Sequence, residues 1–281
     1  LRSLLLANFV IDLEGLVFLS KLEHLTSLGF GKCSFDSLDV PSLPIFEKLT
    51  LLDCTVVRSG ADAALAIVTN VAPKLSSLYF VHIGIDEKGA TEIGKLTDLT
   101  VLDLAVNNLG DSGVEAISDL RNLTRLGLQS NQISGRGIEC LGSMSELTHL
   151  DLSVNEIDDA GARSVAQLNS LKSLNLAVNS IGDDGAKAIA TLANLTSLNL
   201  SGNSISDDGT RAILEAWIDA PAARQLRELD LRENGNIGDL LPPEVLETDD
   251  AQAILAAYRR YRIAETHNTL RPLGEAKLLV V

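Results

Sequence analysis

Basic charge is scarce in this chain: 23 Lys and Arg stand against 38 Asp and Glu, a net charge of −15. Nucleic-acid backbones and anionic membrane surfaces are held by clustered cations, so the balance argues against both as partners. No apolar run reaches the ~18 residues that suggest a membrane-spanning helix, and no leader-like segment is visible, so membrane insertion is not expected. Aromatics make up only 4%, with Trp217 the single tryptophan. The four histidines (His24, His82, His149 and His267) are dispersed, with no spacing that suits a metal. There is no G-x-x-x-x-G-K-[ST] run, so no phosphate-binding loop is encoded here. No Cys–His, Ser–His–Asp or paired-carboxylate arrangement stands out. No catalytic, cofactor-binding or metal-binding residue is therefore expected.

What is abundant is leucine at a fixed step. A leading Leu recurs at Leu1, Leu25, Leu49, Leu75, Leu99, Leu123, Leu147, Leu171, Leu195 and Leu226. The step is 24 residues except after Leu49 and after Leu195. Self-similarity of this length marks a solenoid, in which each unit buries its core only against its neighbours. Such a stack also escapes the size limit of an ordinary single core.

One unit, LKSLNLAVNSIGDDGAKAIATLAN from Leu171 to Asn194, shows the physics. Alternation around Leu174 and Leu176 predicts a short strand with those side chains inward. Ser173, Asn175 and Ala177 then face solvent. Asn179 follows, where the chain turns, and its amide is able to pair backbone groups that the turn exposes. Asn107, Asn131, Asn155, Asn203 and Asn234 share this place, so a buried asparagine ladder is expected. Ile181 continues the core in a column with Ile85, Leu109, Ile133, Ile157 and Ile205. Asp183-Asp184-Gly185-Ala186 reads as an acidic helix start, with carboxylates as N-caps and the glycine column admitting close approach. Ala186, Ile189 and Leu192 form one apolar stripe of a short helix.

The pattern L-x-x-L-x-L-x-x-N-x-I resembles the leucine-rich-repeat family, ten times over residues 1–240. The resemblance implies an α/β fold: a right-handed solenoid (horseshoe) with parallel strands on the concave face and short helices on the convex face. The first four repeats are irregular, with Phe9, Cys33, Val57 and Ile83 at the ladder position. Pro41 and Pro44 displace a helix in the second. Seven extra residues fall in Leu214–Gln225, around Trp217 and ended by Pro221. Secreted members usually carry cysteine-paired caps, and Cys33, Cys54 and Cys140 form none, so the resemblance implies a cytoplasmic protein with free thiols.

Two readings of the concave face stay open. Apolar Leu5, Leu51, Tyr79 and Val81 are either drift or a contact patch. Asp103, Arg125, His149, Asp151, Asp230 and Arg232 are either solubilising consensus residues or a recognition strip for a protein.

The tail carries the remaining signal. Thr248, Asp249 and Asp250 open a helix, DDAQAILAAYRRYRIA, whose Ile254, Leu255, Tyr258 and Tyr261 make one apolar face. That face is expected to seal the stack, with Tyr258 and Tyr261 also on the side of any adjoining domain. The order L-P-P-E-V-L, A-Q-A-I-L-x-x-Y, R-P-L-G-E-A-K-L-L-V-V over Leu240–Val281 is similar to the junction of bacterial Roco proteins. There the repeats lead into a Ras-like GTPase domain, Roc, and a dimerising domain, COR. The expected organisation is repeats over 1–240, a capping and linker helix over 241–264, and a linker with the first Roc strand over 265–281. The chain opens on a core Leu without Met or cap, so upstream residues are expected as well.

The resemblance implies a non-catalytic module that binds its own Roc–COR domains or another protein and is monomeric in isolation. A free-standing bacterial effector or adaptor binding a host or cellular protein is the alternative. A GTPase-activating repeat protein is a third class; it would need an exposed arginine, and Arg125 is the one concave arginine of the regular central repeats.

Overall fold

The x-L-x triplet around the first leucine of each L-x-L becomes a short strand, three residues long in most repeats, because alternation leaves that leucine inward and its two neighbours outward. The computed structural model describes residues 1–35, 43–56, 65, 68, 72–218, 226–235 and 240–266. Val57, Pro41, Pro221, most of the extra segment after Ile218 and the strand expected at the end of the 265–281 segment lie outside the described residues. The described residues group into two compact units, Leu1–Asp151 and Leu152–Val281.

In the first unit a parallel sheet runs β1 (Ser3–Ala7), β3 (Ser27–Gly31), β5 (Leu51–Asp53), β6 (Ser77–Tyr79), β7 (Val101–Asp103), β8 (Arg125–Gly127) and β9 (His149–Asp151), in that spatial order. The strands β2 (Val10–Ile11) and β4 (Ser34–Phe35) pair separately. Helices α1 (Leu13–Ser20), α2 (Glu87–Ile93), α3 (Gly110–Ile117) and α4 (Gly135–Glu139) return between strands, α4 passing into a 3-10 turn at Cys140–Ser143. Residues 43–46 around Pro44 are neither helix nor strand. The second unit has β10 (Ser173–Asn175), β11 (Ser197–Asn199) and β12 (Glu228–Asp230), with α5 (Asp159–Val165), α6 (Asp183–Ile189), α7 (Asp207–Ile218), α8 (Pro243–Leu246) and α9 (Ala251–Thr266). This is an α/β solenoid of parallel strands and returning helices.

The register is the repeat itself. Leu174 pairs with Leu198 and Leu198 with Leu229, so the longer spacing before Leu226 is absorbed outside the sheet. From the second repeat onward the inward leucines are buried, as are Ile85, Leu109, Ile133, Ile157, Ile181 and Ile205, whereas Leu4 and Leu6 of the first repeat are only half-buried. Trp217 is buried in α7, as a core side chain of the second unit.

Asparagine side chains tie successive turns together. Asn107 Oδ1 accepts from the amides of Ile83, Gly84 and Ile85, while its Nδ2 donates to the carbonyls of Phe80, Leu104 and Ala105. Asn131 donates to Leu104 and Leu128, and Asn155 to Leu152 and Ser153. Asn179 joins Leu152 to Leu176, Asn203 joins Leu176 to Leu200, and Asn234 joins Leu200 to Leu231. In the second repeat the thiol of Cys33 takes the amide's part, with long contacts of 3.6 and 3.7 Å to the carbonyls of Leu6 and Gly31.

Three further regularities arise only from the stacking of one repeat on the next. Hydroxyls at the strand entry form a second ladder: Thr26, Thr50, Ser76, Thr100, Thr124 and Thr148 each donate to the carbonyl one repeat earlier. Thr196 does the same to Lys172.

Next, the residue before the ladder position has φ between 54° and 64° in all ten repeats, yet only Gly202 is a glycine. Val56, Val106, Val154 and Val178 hold this left-handed conformation with β-branched side chains, at a cost of about 1–2 kcal/mol each.

Finally, the acidic helix starts divide their work, which corrects the simple N-cap expectation. Asp12, Asp86 and Asp158 do cap their own helices, accepting from Gly15, Gly89 and Gly161 amides. Asp183 does not cap α6, whose N-cap is Gly182; it reaches the next helix and accepts from the Ser206 amide and hydroxyl and the Gly209 amide. Asp159 likewise accepts from Gly182 and Gly185, and Asp111 from Ser134. A first-turn aspartate thus caps the following helix, because the stack brings that helix's open amides beside it.

Candidate functional site

The outward face of the sheet is the broad surface on which side chains are displayed in a regular grid. In the first unit the middle column reads Leu5, Gly29, Asp53, Tyr79, Asp103, Gly127, Asp151, each residue in register with the next. Neighbours in such a column stand about 4.8 Å apart, so their side chains touch or compete. Both glycine gaps are roofed from the preceding strand. A Cβ at Gly29 would lie 2.6 Å from Leu5 Cδ1, and one at Gly127 would lie 2.7 Å from Asp103 Oδ1. Tyr79 is half-buried between Asp53 and Asp103, with Val81 beyond it on the same strand exit.

The column has structural work of its own. Asp103 Oδ1 accepts from the Ala105 amide at 3.0 Å, Asn175 from Ala177, Asn199 from Ser201 and Asp230 from Arg232. A side chain that bonds its own backbone two residues on is an Asx turn, and here it closes the strand exit. Asp or Asn at this position therefore has a local cause in every repeat where the bond is seen. Asp53 bonds the Thr55 hydroxyl instead.

The environment separates the carboxylates. Burial pushes the Asp103 carboxyl above its ordinary value; the Ala105 amide works against this, and Asp151 and Asp53 reinforce it. At Asp230 burial also raises, but the hydrogen bonds and charge of Arg232 outweigh it and the carboxyl ends below its ordinary value. Arg232 grips Asp230 through Nε at 2.9 Å and Nη2 at 2.6 Å, a two-pronged pair. Asp230 and Arg232 are therefore partners of each other rather than two independent recognition groups. Arg125 is exposed in the column that also holds Val101 and His149. His149 Nδ1 meets the Thr148 hydroxyl at 2.9 Å.

Residues 145–205 match the family Leucine rich repeat, and 95–118 and 119–142 match Leucine Rich repeat. The chain folds as an α/β leucine-rich-repeat solenoid. Comparison with curated proteins finds no match. Among solved structures the domain is similar to an internalin, InlF, from Listeria monocytogenes: 20% identity, TM-score 0.51, covering 69% of this chain and 67% of that one. It is also similar to internalin C2 from the same organism: 21% identity, TM-score 0.43, covering 83% of this chain and 80% of that one. At this identity the likeness to InlF concerns the fold.

The tail of the leucine-rich-repeat domain closes the second unit. The Leu229 amide donates to Asp249, the Ala251 amide to Arg227, and Asp250 bridges Glu228 antiparallel. Asp250 then caps α9 through the amides of Gln252 and Ala253. Ile254, Leu255 and Tyr258 are buried by α9 packing on α7 and β12. Tyr258 donates to Glu215 at 3.1 Å, and burial with Glu215 pushes its phenol up to about 12. Tyr261 stacks near Tyr258, their centroids 6.0 Å apart, under the Arg211 guanidinium.

This corrects the expectation that Tyr258 meets an adjoining domain, because its side chain is 0% exposed inside the unit. The exposed side of α9 includes Arg260 and Ile263.

Among the described residues no cluster of three or more His, Cys, Asp or Glu is placed to hold a metal ion. No described helix is long and apolar enough to cross a membrane. Burial pushes the Cys54 thiol well up, helped by Asp53 and Cys33, which is the state of a core side chain rather than a nucleophile. The leucine-rich-repeat fold is typically a non-enzymatic scaffold for protein–protein interaction.

Proposed function

We propose that this domain is a non-catalytic, regulatory protein-binding module working through the outward face of its sheet, within a cytoplasmic Roco-type GTPase of a bacterium. The observation that carries the protein-binding part is the sheet face of the first unit. It displays half-buried Leu51, Tyr79, Val81 and Val101 beside Asp53 and Asp103 and the exposed Arg125, a mixed apolar and charged surface of the kind proteins recognise. The Roco part rests on the succession L-P-P-E-V-L, A-Q-A-I-L-A-A-Y and R-P-L-G-E-A-K-L-L-V-V. In this reading the domain acts on or through Roc and COR, and the Arg260 side of α9 faces them.

The test has two stages. The coding sequence after Val281 should continue into a Gly-rich loop ending in Gly-Lys-Thr or Gly-Lys-Ser. The downstream portion should then bind residues 1–281 differently with GDP and with a GTP analogue, and Arg260→Glu should weaken that binding. A downstream portion without a GTPase fold refutes the Roco part and leaves a free-standing binding module.

A further inference from the structure

The preceding reading leaves the chemistry of the partner open, and the first unit's sheet face narrows it. We propose that Asp53, Tyr79 and Asp103 form the contact for an arginine or lysine side chain, presented by an extended basic segment of a protein partner lying across β5–β7. The inference rests on the reading that this face binds protein.

Three features of the geometry point there. Asp53, Tyr79 and Asp103 are register partners on adjacent parallel strands, so an aromatic ring sits between two carboxylates at one strand spacing on either side. With strands about 4.8 Å apart, the outer two stand about 10 Å apart. A guanidinium or ammonium placed against the ring is attracted by both carboxylates, so a charge-assisted hydrogen bond to the nearer one combines with a cation–π contact.

Both carboxylates are also held in place before any ligand arrives, Asp53 by the Thr55 hydroxyl and Asp103 by the Ala105 amide. Little side-chain order then remains to be lost on binding. Finally, among the described residues of this face acidic side chains outnumber basic ones, Asp53, Asp103 and Asp151 against Arg125. Asp151 and Asp53 both work against the ionised state of Asp103, and the protein as a whole carries −15. A cation relieves that repulsion, whereas an acidic or nucleic-acid partner would add to it.

Leu51, Val81 and Val101 flank the triad and are only half-buried. Apolar residues on either side of the basic one suit them. With strands of three residues and a sheet that is already paired, the partner meets side chains rather than adding a strand.

The test uses the full chain, labelled with ¹⁵N and titrated with the peptide acetyl-Ser-Val-Arg-Val-Arg-Val-Ser-amide and with its Glu-for-Arg counterpart. The expected result is saturable shifts of the amides of residues 53, 79, 81, 101 and 103 with the arginine peptide alone, reduced by added salt. Asp53→Asn with Asp103→Asn, and separately Tyr79→Ala, should weaken binding about tenfold or more.

Asn is a safe replacement here. Asn175 and Asn199 occupy the same repeat position and make the same strand-exit bond, so loss of binding would not reflect loss of fold. The inference is overturned by no shift at these amides, by equal shifts with the glutamate peptide, or by binding indifferent to both aspartates. A natural partner that crosslinks to this face but ignores both aspartates would overturn the inference alone. A partner that crosslinks only elsewhere would overturn the sheet-face reading with it.

Discussion

Adding one methyl group to α7 should destabilise the domain although it improves the helix. Gly209 lies in the first turn of α7 and is buried. A Cβ built on it falls 2.5 Å from Asp183 Oδ1, 2.8 Å from Ile205 Cγ2 and 2.9 Å from Asp183 Cα. The last of these is backbone and cannot swing away. The carboxylate it meets is the one that accepts from Ser206 twice and from Gly209 itself. Overpacking of this kind costs about 1–3 kcal/mol, and one lost hydrogen bond adds about 0.5–1.5 kcal/mol. Replacing Gly by Ala in a helix offsets about 1 kcal/mol of that. Gly209→Ala should therefore lower stability by about 0.5–3.5 kcal/mol, read from the midpoint of urea unfolding followed by far-UV circular dichroism.

Gly142 is the control: a Cβ there meets nothing within 4 Å. Gly142→Ala should be neutral or stabilising by up to about 1 kcal/mol. If Gly209→Ala proves as stable as the parent, the aspartate relay between helices is not the tight contact described here.

Asn107→Ala should cost about 1–3 kcal/mol and speed hydrogen exchange at the amides of Ile83, Gly84 and Ile85, whose shared acceptor it removes; unchanged exchange would refute the ladder's role. Burial acts to raise the Asp183 carboxyl, but its bonds to Ser206 and Gly209 win and hold it below the ordinary value. Its contribution is therefore present at neutral pH and is lost as pH falls through the folded-state pKa. The stability gap between parent and Asp183→Asn should close in acid, and a gap constant with pH would contradict this. Val154→Asn should stabilise by about 1 kcal/mol, since Asn tolerates φ of 56° better than a β-branched side chain; a lower melting temperature would show that Val154 packing outweighs the strain. Tyr258→Phe removes a hydrogen bond to Glu215 at little change in volume, and should cost about 0.5–1.5 kcal/mol. If the unfolding midpoint does not move, that hydroxyl carries no net stability.

Periodicity by itself determined the elements of this protein. Leucine at i and i+3 of each repeat, with Leu, Phe or Cys at i+5, can bury only as one strand with its neighbours in register, and the Asn that follows in six repeats has only turn backbone to bond. Those features are local and repeat every 24 residues, so chemistry read once held for Asn107, Asn179 and Asn203 alike. The strand-entry hydroxyls and the left-handed valines were written in the same columns. One repeat does not reveal them, because neither Thr nor Val advertises its partner: the carbonyl that Thr100 meets belongs to Ser76, in the repeat before.

Only the stacking decided the rest. Asp183 looks like a cap for its own helix, yet translation by one repeat sets it beside the open amides of α7, where three donors converge. Asp103 and Asp230 look alike in L-D-L, but Arg232 grips one while two more carboxylates crowd the other. Tyr258 reads as part of a sealing apolar face that also borders an adjoining domain, and only the packing of α9 on α7 decides that its side chain is fully enclosed. Apart from the Asp230–Arg232 pair, two residues apart, the determining contacts join residues distant in sequence, and pattern within one repeat carries no information about them.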